Sequence, residues 1–315
     1  MGQTYLAFRT MSIHHNLPWL QRLFTLFWRK IWQIDNMKNF KDKVIAITGA
    51  GSGIGRALTM EFAQRGAKLA LNDWSAEGLE KTVALIRERG AENILQKTFD
   101  VSDEEAMYAF AEEVKQRFGN AHMIINNAGI AGSAAPVYNT PNSTYRRVME
   151  INYFGVVYGT KAFLPQLVEN NEGAVVNISS VMGFFGPPSN SDYAASKFAV
   201  RGFTEALSVE FYKSPISIHC VHPGGIDTNI ASSTISDEDL DAFDSSILTT
   251  PPEKLARKII KGVMRKDPRI IYGNQSLQVW LGNKLLSKRV ADWVIWNKLR
   301  KIMPLDGYRA FIKDL

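Results

Sequence analysis

The sequence predicts a doubly wound α/β domain built on a seven-stranded parallel sheet, and three observations predict it. Short runs rich in Val, Ile and Leu alternate with helical stretches from residue 43 to residue 273. Those runs lack polar–apolar alternation, which suits strands covered by helices on both faces. A cluster of glycines separates the first run from the first helix, as a tight strand-to-helix turn requires.

The elements follow in order. "KVIAIT" (43–48) reads as the first strand, and "RALTMEFAQR", closed by Gly66, as the first helix. "AKLALND" (67–73) is a strand, 76–89 a helix stopped by Gly90, and "NILQKTFD" (93–100) a third strand. A helix over about 103–118 precedes the apolar run "HMIIN" (122–126). One long helix over roughly 143–169, the strand "GAVVNIS", a helix over about 192–212 and the strand "ISIHCV" come next. A helix near 252–265 and "RIIYG" (269–273) complete the seven, with right-handed crossovers expected. The expected organisation is a basic amphipathic extension (1–40), one α/β domain (41–273) and a basic, Trp-containing helical extension (274–315).

At 315 residues, 45% hydrophobic and 22% charged, the chain can bury a sizeable core. Its net charge of +6 is unevenly spread. Residues 44–252 carry 15 bases and 24 acids, a net −9, whereas 1–43 carry a net +5 and 253–315 a net +10. Trp19, Trp28 and Trp32 lie in the first flank, and Trp280, Trp293 and Trp296 in the last. "LPWLQRLFTLFWRKIWQI" (17–34) and 276–301 both set apolar residues at helical spacing among Lys and Arg. Such helices suit a membrane surface, and equally a face packed on the domain or on another subunit. Nucleic acid is not an expected partner, because the bases accompany apolar faces and the middle of the chain is acidic.

No run reaches the ~18–20 uncharged apolar residues of a membrane-spanning helix, and no secretory signal is recognisable. The one cysteine, Cys220, has no disulfide or metal partner and reads as a small core residue. His219 and His222 flank the same strand and read as structural. No metal site is expected. A cytoplasmic protein fits, with the inner face of a membrane as a further location.

Two motifs carry chemistry. "TGAGSGIG" (48–55) places Gly49, Gly53 and Gly55 where backbone can approach a pyrophosphate, with helix amides behind it. A plain tight turn would use the same glycines. Asp73, ending the second strand, can accept hydrogen bonds from a ribose 2′-hydroxyl, and neither Ser52 nor Trp74 supplies a base for a 2′-phosphate. NAD is therefore favoured over NADP, with a helix N-cap as the plainer role for Asp73. In "SDYAASK" (191–197), Tyr193 and Lys197 lie four apart on one helix face, with Cβ atoms ~5–6 Å apart. They are either a surface pair or a phenol whose pKa, ordinarily ~10, is pulled down by an ammonium.

Together with "NNAG" (126–129), "ISS" (178–180), "YAASK" (193–197) and "PGGIDT" (223–228), the glycine motif resembles the classical short-chain dehydrogenase/reductase family, over about 41–273. The resemblance implies a Rossmann-type fold and hydride transfer between a nicotinamide and an alcohol or ketone. It implies a catalytic tetrad of Asn152, Ser180, Tyr193 and Lys197, with Ser180 chosen over Ser179 by its spacing from Tyr193. It also implies cofactor contacts at Gly49, Ser52, Gly53, Ile54, Gly55, Asp73, Asp100, Val101, Asn127, Ala128, Gly129, Tyr193, Lys197, Pro223, Gly224, Ile226 and Thr228, with Asn126 shaping the wall nearby. "MKNFKDKVIAITG" begins at Met37 much as family members begin, so 1–36 is an extension or sequence upstream of a start.

The polar stretch 225–252 occupies the family's substrate-covering position, and Met182, Phe184 and Phe185 suit an apolar pocket. The expected substrate is a hydrophobic secondary alcohol or ketone, with a homodimer or homotetramer as the assembly. An NADP-preferring carbonyl reductase and a membrane-attached NAD-binding sensor with little turnover stand as alternatives.

Overall fold

The computed structural model describes residues 39–228, 230 and 248–299, which lie in one unit, Asn36–Leu315. The strands are β1 (Val44–Thr48), β2 (Lys68–Asp73), β3 (Ile94–Thr98), β4 (Met123–Asn126), β5 (Gly173–Ile178), β6 (Ile216–Pro223) and β7 (Arg269–Tyr272). They form one parallel sheet in the order β3-β2-β1-β4-β5-β6-β7. The order reverses between β1 and β4, so the carboxyl ends of these strands open a crevice there. All seven strands expected from the sequence are present.

Successive residues of a strand face opposite sides, and the core divides accordingly. Ile45 and Ile47 of β1 join Leu69, Leu71, Ile125 and Val176 on one face. Helices α1 (Gly53–Ala63) and α2 (Ala76–Arg87) cover that face through Leu58, Phe62, Leu79 and Val83. Val44 and Ala46 join Ile124, Val175 and Ile218 on the other, under α3 (Glu104–Phe118). The inner strands β1, β4 and β5 are buried throughout, while the edge strands β3 and β7 are only partly so. That explains the unbroken apolar runs in the sequence.

The single helix expected over 143–169 is divided. α4 (Asn142–Met149) widens into a π turn (Glu150–Phe154) before α5 (Gly155–Glu169) continues. The π turn buries Ile151 and Asn152, and α5 packs Phe163 and Leu167 onto the sheet. α6 (Ser191–Glu210) follows β5, and α7 (Pro252–Met264) covers the first face through Leu255, Ile259 and Val263. The periodic stretch 276–301 contains two helices, α8 (Ser276–Leu285) and α9 (Lys288–Leu299), because the chain turns extended at Leu286.

The chain leaving β6 is tied at its exit. Asp227 N donates to the Thr250 carbonyl (2.9 Å) and Thr250 N to the Gly225 carbonyl (3.1 Å). Residues 229 and 231–247 of the polar stretch and the amphipathic segment 17–34 lie outside the described residues. Among the described residues, no helix is long and apolar enough to cross a membrane.

Candidate active site

The glycine loop joins β1 to α1, and its glycines are required by geometry. Gly49 and Gly53 have φ of +66° and +48°, in the left-handed region that suits glycine. A Cβ on Gly55 would overlap the Gly49 carbonyl oxygen. Ser52 caps α1 without a side-chain bond, and the first turn, which includes Ile54, holds no acid. That end of the helix therefore suits an anion, and the loop has the shape of a pyrophosphate cradle.

Asp73 is buried at the end of β2. Its Oδ2 accepts from Gly51 N (2.7 Å) and its Oδ1 from Ser75 N (2.8 Å), so the carboxylate is fixed beside the loop. Gly51 was not among the residues expected. A Cβ there would sit 2.8 Å from the Asp73 carboxyl, which makes glycine necessary for that approach. Arg56 was missed as well: its guanidinium donates to the Gly51 carbonyl and to Thr82 Oγ1 (2.9 Å), bracing the loop from outside. A glycine-rich spacing shows neither contact.

Other expected cofactor residues are committed to the protein itself. Asn127 donates its side-chain amide to the carbonyls of Thr48 (2.9 Å) and Gly49 (3.1 Å), while the backbone amides of Asn127 and Ala128 donate to Thr48 Oγ1. They hold the loop in shape. Asn126 donates to Thr160 and Asn177 within the core. Asp100 pairs with Arg147 and accepts from Ser102 N and Oγ. Burial pushes its carboxyl up, but Arg147 and Ser102 outweigh that and hold it below the usual carboxylate range. Val101 packs where Gly155 leaves room.

At the β6 exit, Pro223 ends the strand, Gly224 N donates to the Tyr272 carbonyl (2.9 Å), and Ile226 is buried. A Cβ on Gly53 would lie 3.0 Å from Thr228 Cγ2, so Thr228 leans over the glycine loop. The two walls of the crevice meet there.

Ser180, Tyr193 and Lys197 converge on the other side. Ser180 leaves β5 and caps a short 3-10 turn (Val181–Gly183), its Oγ accepting from Met182 N (3.1 Å) and interacting with the Tyr193 phenol. Ser179 is spent elsewhere, donating to the Lys197 carbonyl (2.8 Å). Gly129 leaves room for two neighbours at once, since a Cβ there would come 3.0 Å from Asn152 Oδ1 and 3.4 Å from Lys197 Nζ. The π turn aims Asn152 at the loop after β4. Its Oδ1 accepts from Ile130 N (2.8 Å), and its Nδ2 donates to Ile130 O (3.0 Å) and Ser196 Oγ (3.1 Å). Both amide protons are engaged, so the side chain braces that loop against α6.

The expected depression of the phenol pKa is absent in the protein alone. Tyr193 as a whole residue is half-buried. Burial pushes the phenol up to about 12, against a downward pull from Ser180. Lys197 is itself buried, which lowers its ammonium to about 8. Its Nζ donates to the Ile178 carbonyl (3.1 Å) and lies 5.5 Å from the Tyr193 ring centroid. Desolvation outweighs the hydrogen bond with Ser180 here.

Two further residues position the site without having been singled out for it. Asp192, buried beside Tyr193, accepts from Tyr193 N (2.7 Å) and Ser133 N (2.7 Å), joining α6 to the loop after β4. His222, expected to be structural, holds the backbone of Ser180. Its Nδ1 faces the Ser180 carbonyl at 3.0 Å and must carry the proton, while its ring lies against Phe184 (centroids 4.1 Å apart). Burial holds its pKa down at about 4. His219 is satisfied by the Asp267 carbonyl and Ser217 Oγ, and Cys220 is buried in the core. Among the described residues, no cluster of His, Cys, Asp and Glu could hold a metal ion.

A family model described as short chain dehydrogenase matches residues 43–239. A putative oxidoreductase, SadH, of Mycobacterium tuberculosis is 42% identical over 254 residues, covering 77% of this chain and 90% of the relative. Epidermal retinol dehydrogenase 2 of Homo sapiens is 32% identical over 252 residues, covering 78% and 80%. The crystal structure of a short chain dehydrogenase/reductase from Burkholderia phymatum in complex with NAD is similar at a TM-score of 0.72 and 27% identity, covering 79% of this chain and 95% of that one. The chain belongs to the short-chain dehydrogenase/reductase family.

Proposed function

We propose that the protein is an NAD-dependent dehydrogenase/reductase that interconverts a hydrophobic secondary alcohol and its ketone. The observation that carries this is the convergence of the Ser180 hydroxyl, the Tyr193 phenol and Lys197 beside a glycine cradle flanked by a fixed Asp73 carboxylate. The glycine loop would hold the pyrophosphate and Asp73 the adenosine ribose hydroxyls, where a 2′-phosphate would meet a negative charge. Thr228 would meet the carboxamide. NAD, when bound, supplies the hydride acceptor.

The remaining work falls to side chains of this chain. Ser180 holds the substrate oxygen by hydrogen bonding. Tyr193 takes the hydroxyl proton during oxidation and returns it during reduction. Lys197, at the bottom of the crevice, orients the cofactor ribose and contributes positive charge. Because burial holds the phenol at about 12, positive charge brought in with the cofactor matters more than Lys197 alone. Asn152 acts as a positioning residue, since its amide protons are already engaged. Met182 and Phe185, both partly exposed just beyond Ser180, would give the substrate side an apolar lining, whereas Phe184 is buried against His222.

The relative named as a retinol dehydrogenase supports a hydrophobic alcohol, and the neighbour crystallised with NAD supports the cofactor. Exposed Phe154 and Val168 near α5, with Phe198 and Val209 on α6, offer a surface for a homodimer or homotetramer. Nicotinamide absorbance followed with NAD and NADP, against secondary alcohols and ketones of graded chain length, tests the proposal. Turnover should favour NAD, rise with chain length and vanish in Tyr193→Phe. Turnover confined to NADP or to small charged polyols would overturn it.

A further inference from the structure

Most helices of this protein turn their leucines to the sheet, but α8 turns its leucines out. Leu277, Leu281 and Leu285 stand one turn apart on the same side and are all exposed, Leu285 at 78%. Of α8 only Ser276 is buried. α9 adds exposed Val290 and Trp293, the latter at 67%. α8 is fastened to the domain by polar bonds instead. Ser276 Oγ donates to the Gly273 carbonyl at the end of β7 (2.8 Å), and Asn283 Nδ2 donates to the Phe184 carbonyl (2.5 Å).

Basic residues rim this apolar row. Across 276–299, Lys284, Lys288, Arg289 and Lys298 face a single acid, Asp292. The Lys284 ammonium sits 4.7 Å from the Trp280 ring centroid, as a cation does beside an interfacial indole. A second copy laid on the same face would bring these bases onto themselves, and the net +5 of residues 1–43 is equally ill matched. An anionic lipid surface matches both halves of the pattern. Acyl chains receive the leucines and Trp293, while phosphates receive the bases.

We infer that the α8–α9 face docks the protein peripherally on anionic phospholipid bilayers. Asn283 holds the carbonyl of Phe184, four residues beyond Ser180, so docking brings the mouth of the crevice beside the bilayer. That consequence for substrate delivery rests on the proposed function; the docking itself does not.

The test uses the full chain and vesicles of phosphatidylcholine alone or mixed equally with phosphatidylglycerol, read by flotation without substrate or cofactor. Mixed vesicles should retain the protein, phosphatidylcholine vesicles should retain much less, and added salt should weaken retention. Leu281→Ser combined with Leu285→Ser should lower partitioning at least about tenfold. Lys284→Glu with Arg289→Glu should lower it on mixed vesicles by about fivefold or more per base, with phosphatidylcholine binding unchanged. Circular dichroism and thermal unfolding of each variant should match the parent. No retention on mixed vesicles would overturn the inference, and so would variants retained like the parent, since contact would then lie elsewhere in the chain. A variant that lost subunits in sedimentation while keeping its vesicle binding would identify the face as a self-interface and also overturn it.

Discussion

The two walls of the crevice are made by different means. The wall carried by β1, α1 and β2 is a matter of backbone: Gly49, Gly53 and Gly55 allow a shape, and Gly51 N fixes Asp73 in it. The wall carried by β5, α6 and the π turn is a matter of side chains brought together, with Lys197 buried and burial raising the Tyr193 phenol. The first can select a ligand by shape and charge without moving a proton. The second would move the proton under the proposed function, and burial works against ionisation there until further charge arrives. Substitutions should therefore separate binding from turnover according to the wall they touch.

The largest effect is expected on the second wall. Tyr193→Phe removes the hydroxyl and should lower kcat by about 10³–10⁴-fold, while NAD affinity measured by calorimetry stays within about twofold. A comparable loss of NAD binding would mean that the two walls are not separable. Next comes Gly55→Ala, where the added methyl overlaps the Gly49 carbonyl and the loop must shift. NAD affinity should fall by roughly a hundredfold, matching ~1–3 kcal/mol of overpacking, with circular dichroism checking the fold.

Asp73→Ser should weaken NAD about tenfold, in line with ~1.5–3 kcal/mol for hydrogen bonds to a charged group. It should also narrow the margin over NADP, read from the ratio of kcat/KM values. If that ratio does not move, Asp73 serves only to hold Gly51 and Ser75. The smallest effect concerns pH. Burial holds His219 and His222 at about 4 when folded, against ~6.5 when unfolded. Their neutral forms thus contribute stability that is full above pH ~6.5 and is lost as pH falls through the folded value. His222→Asn should remove roughly half of that acid sensitivity, about 2–4 °C in Tm per kcal/mol, when melting is compared at pH 7 and pH 5.

How legible each wall was in the sequence follows from the same difference. The strands and the glycine loop depend on neighbours in the chain, so their runs and spacings showed them directly. Ser180, Tyr193 and Lys197 emerged from family resemblance, and the structure does bring them together. The partners that position them did not emerge, because those contacts span long stretches of chain. Asp192 reaches Ser133 across 59 positions, and His222 reaches the Ser180 carbonyl across 42. Spacing also could not weigh burial against charge at Tyr193. The break between α8 and α9 and the π turn at Asn152 were hidden for another reason: both lie within stretches whose apolar spacing continues past the irregularity.

That π turn has a consequence for how the chain could vary. A five-residue hydrogen-bonded turn (Gly155 N to the Glu150 carbonyl) spends one residue more than an α-helix needs for the same loop of backbone. Deleting a single residue between Met149 and Gly155 would let α4 and α5 join without the π turn, and the amide now meeting Ile130 would swing away by about a quarter of a turn, given ~3.6 residues per turn. Such a chain would have the more regular helix and the poorer crevice. The irregularity is thus a place where lengthening the polypeptide by one residue trades helical order for aim.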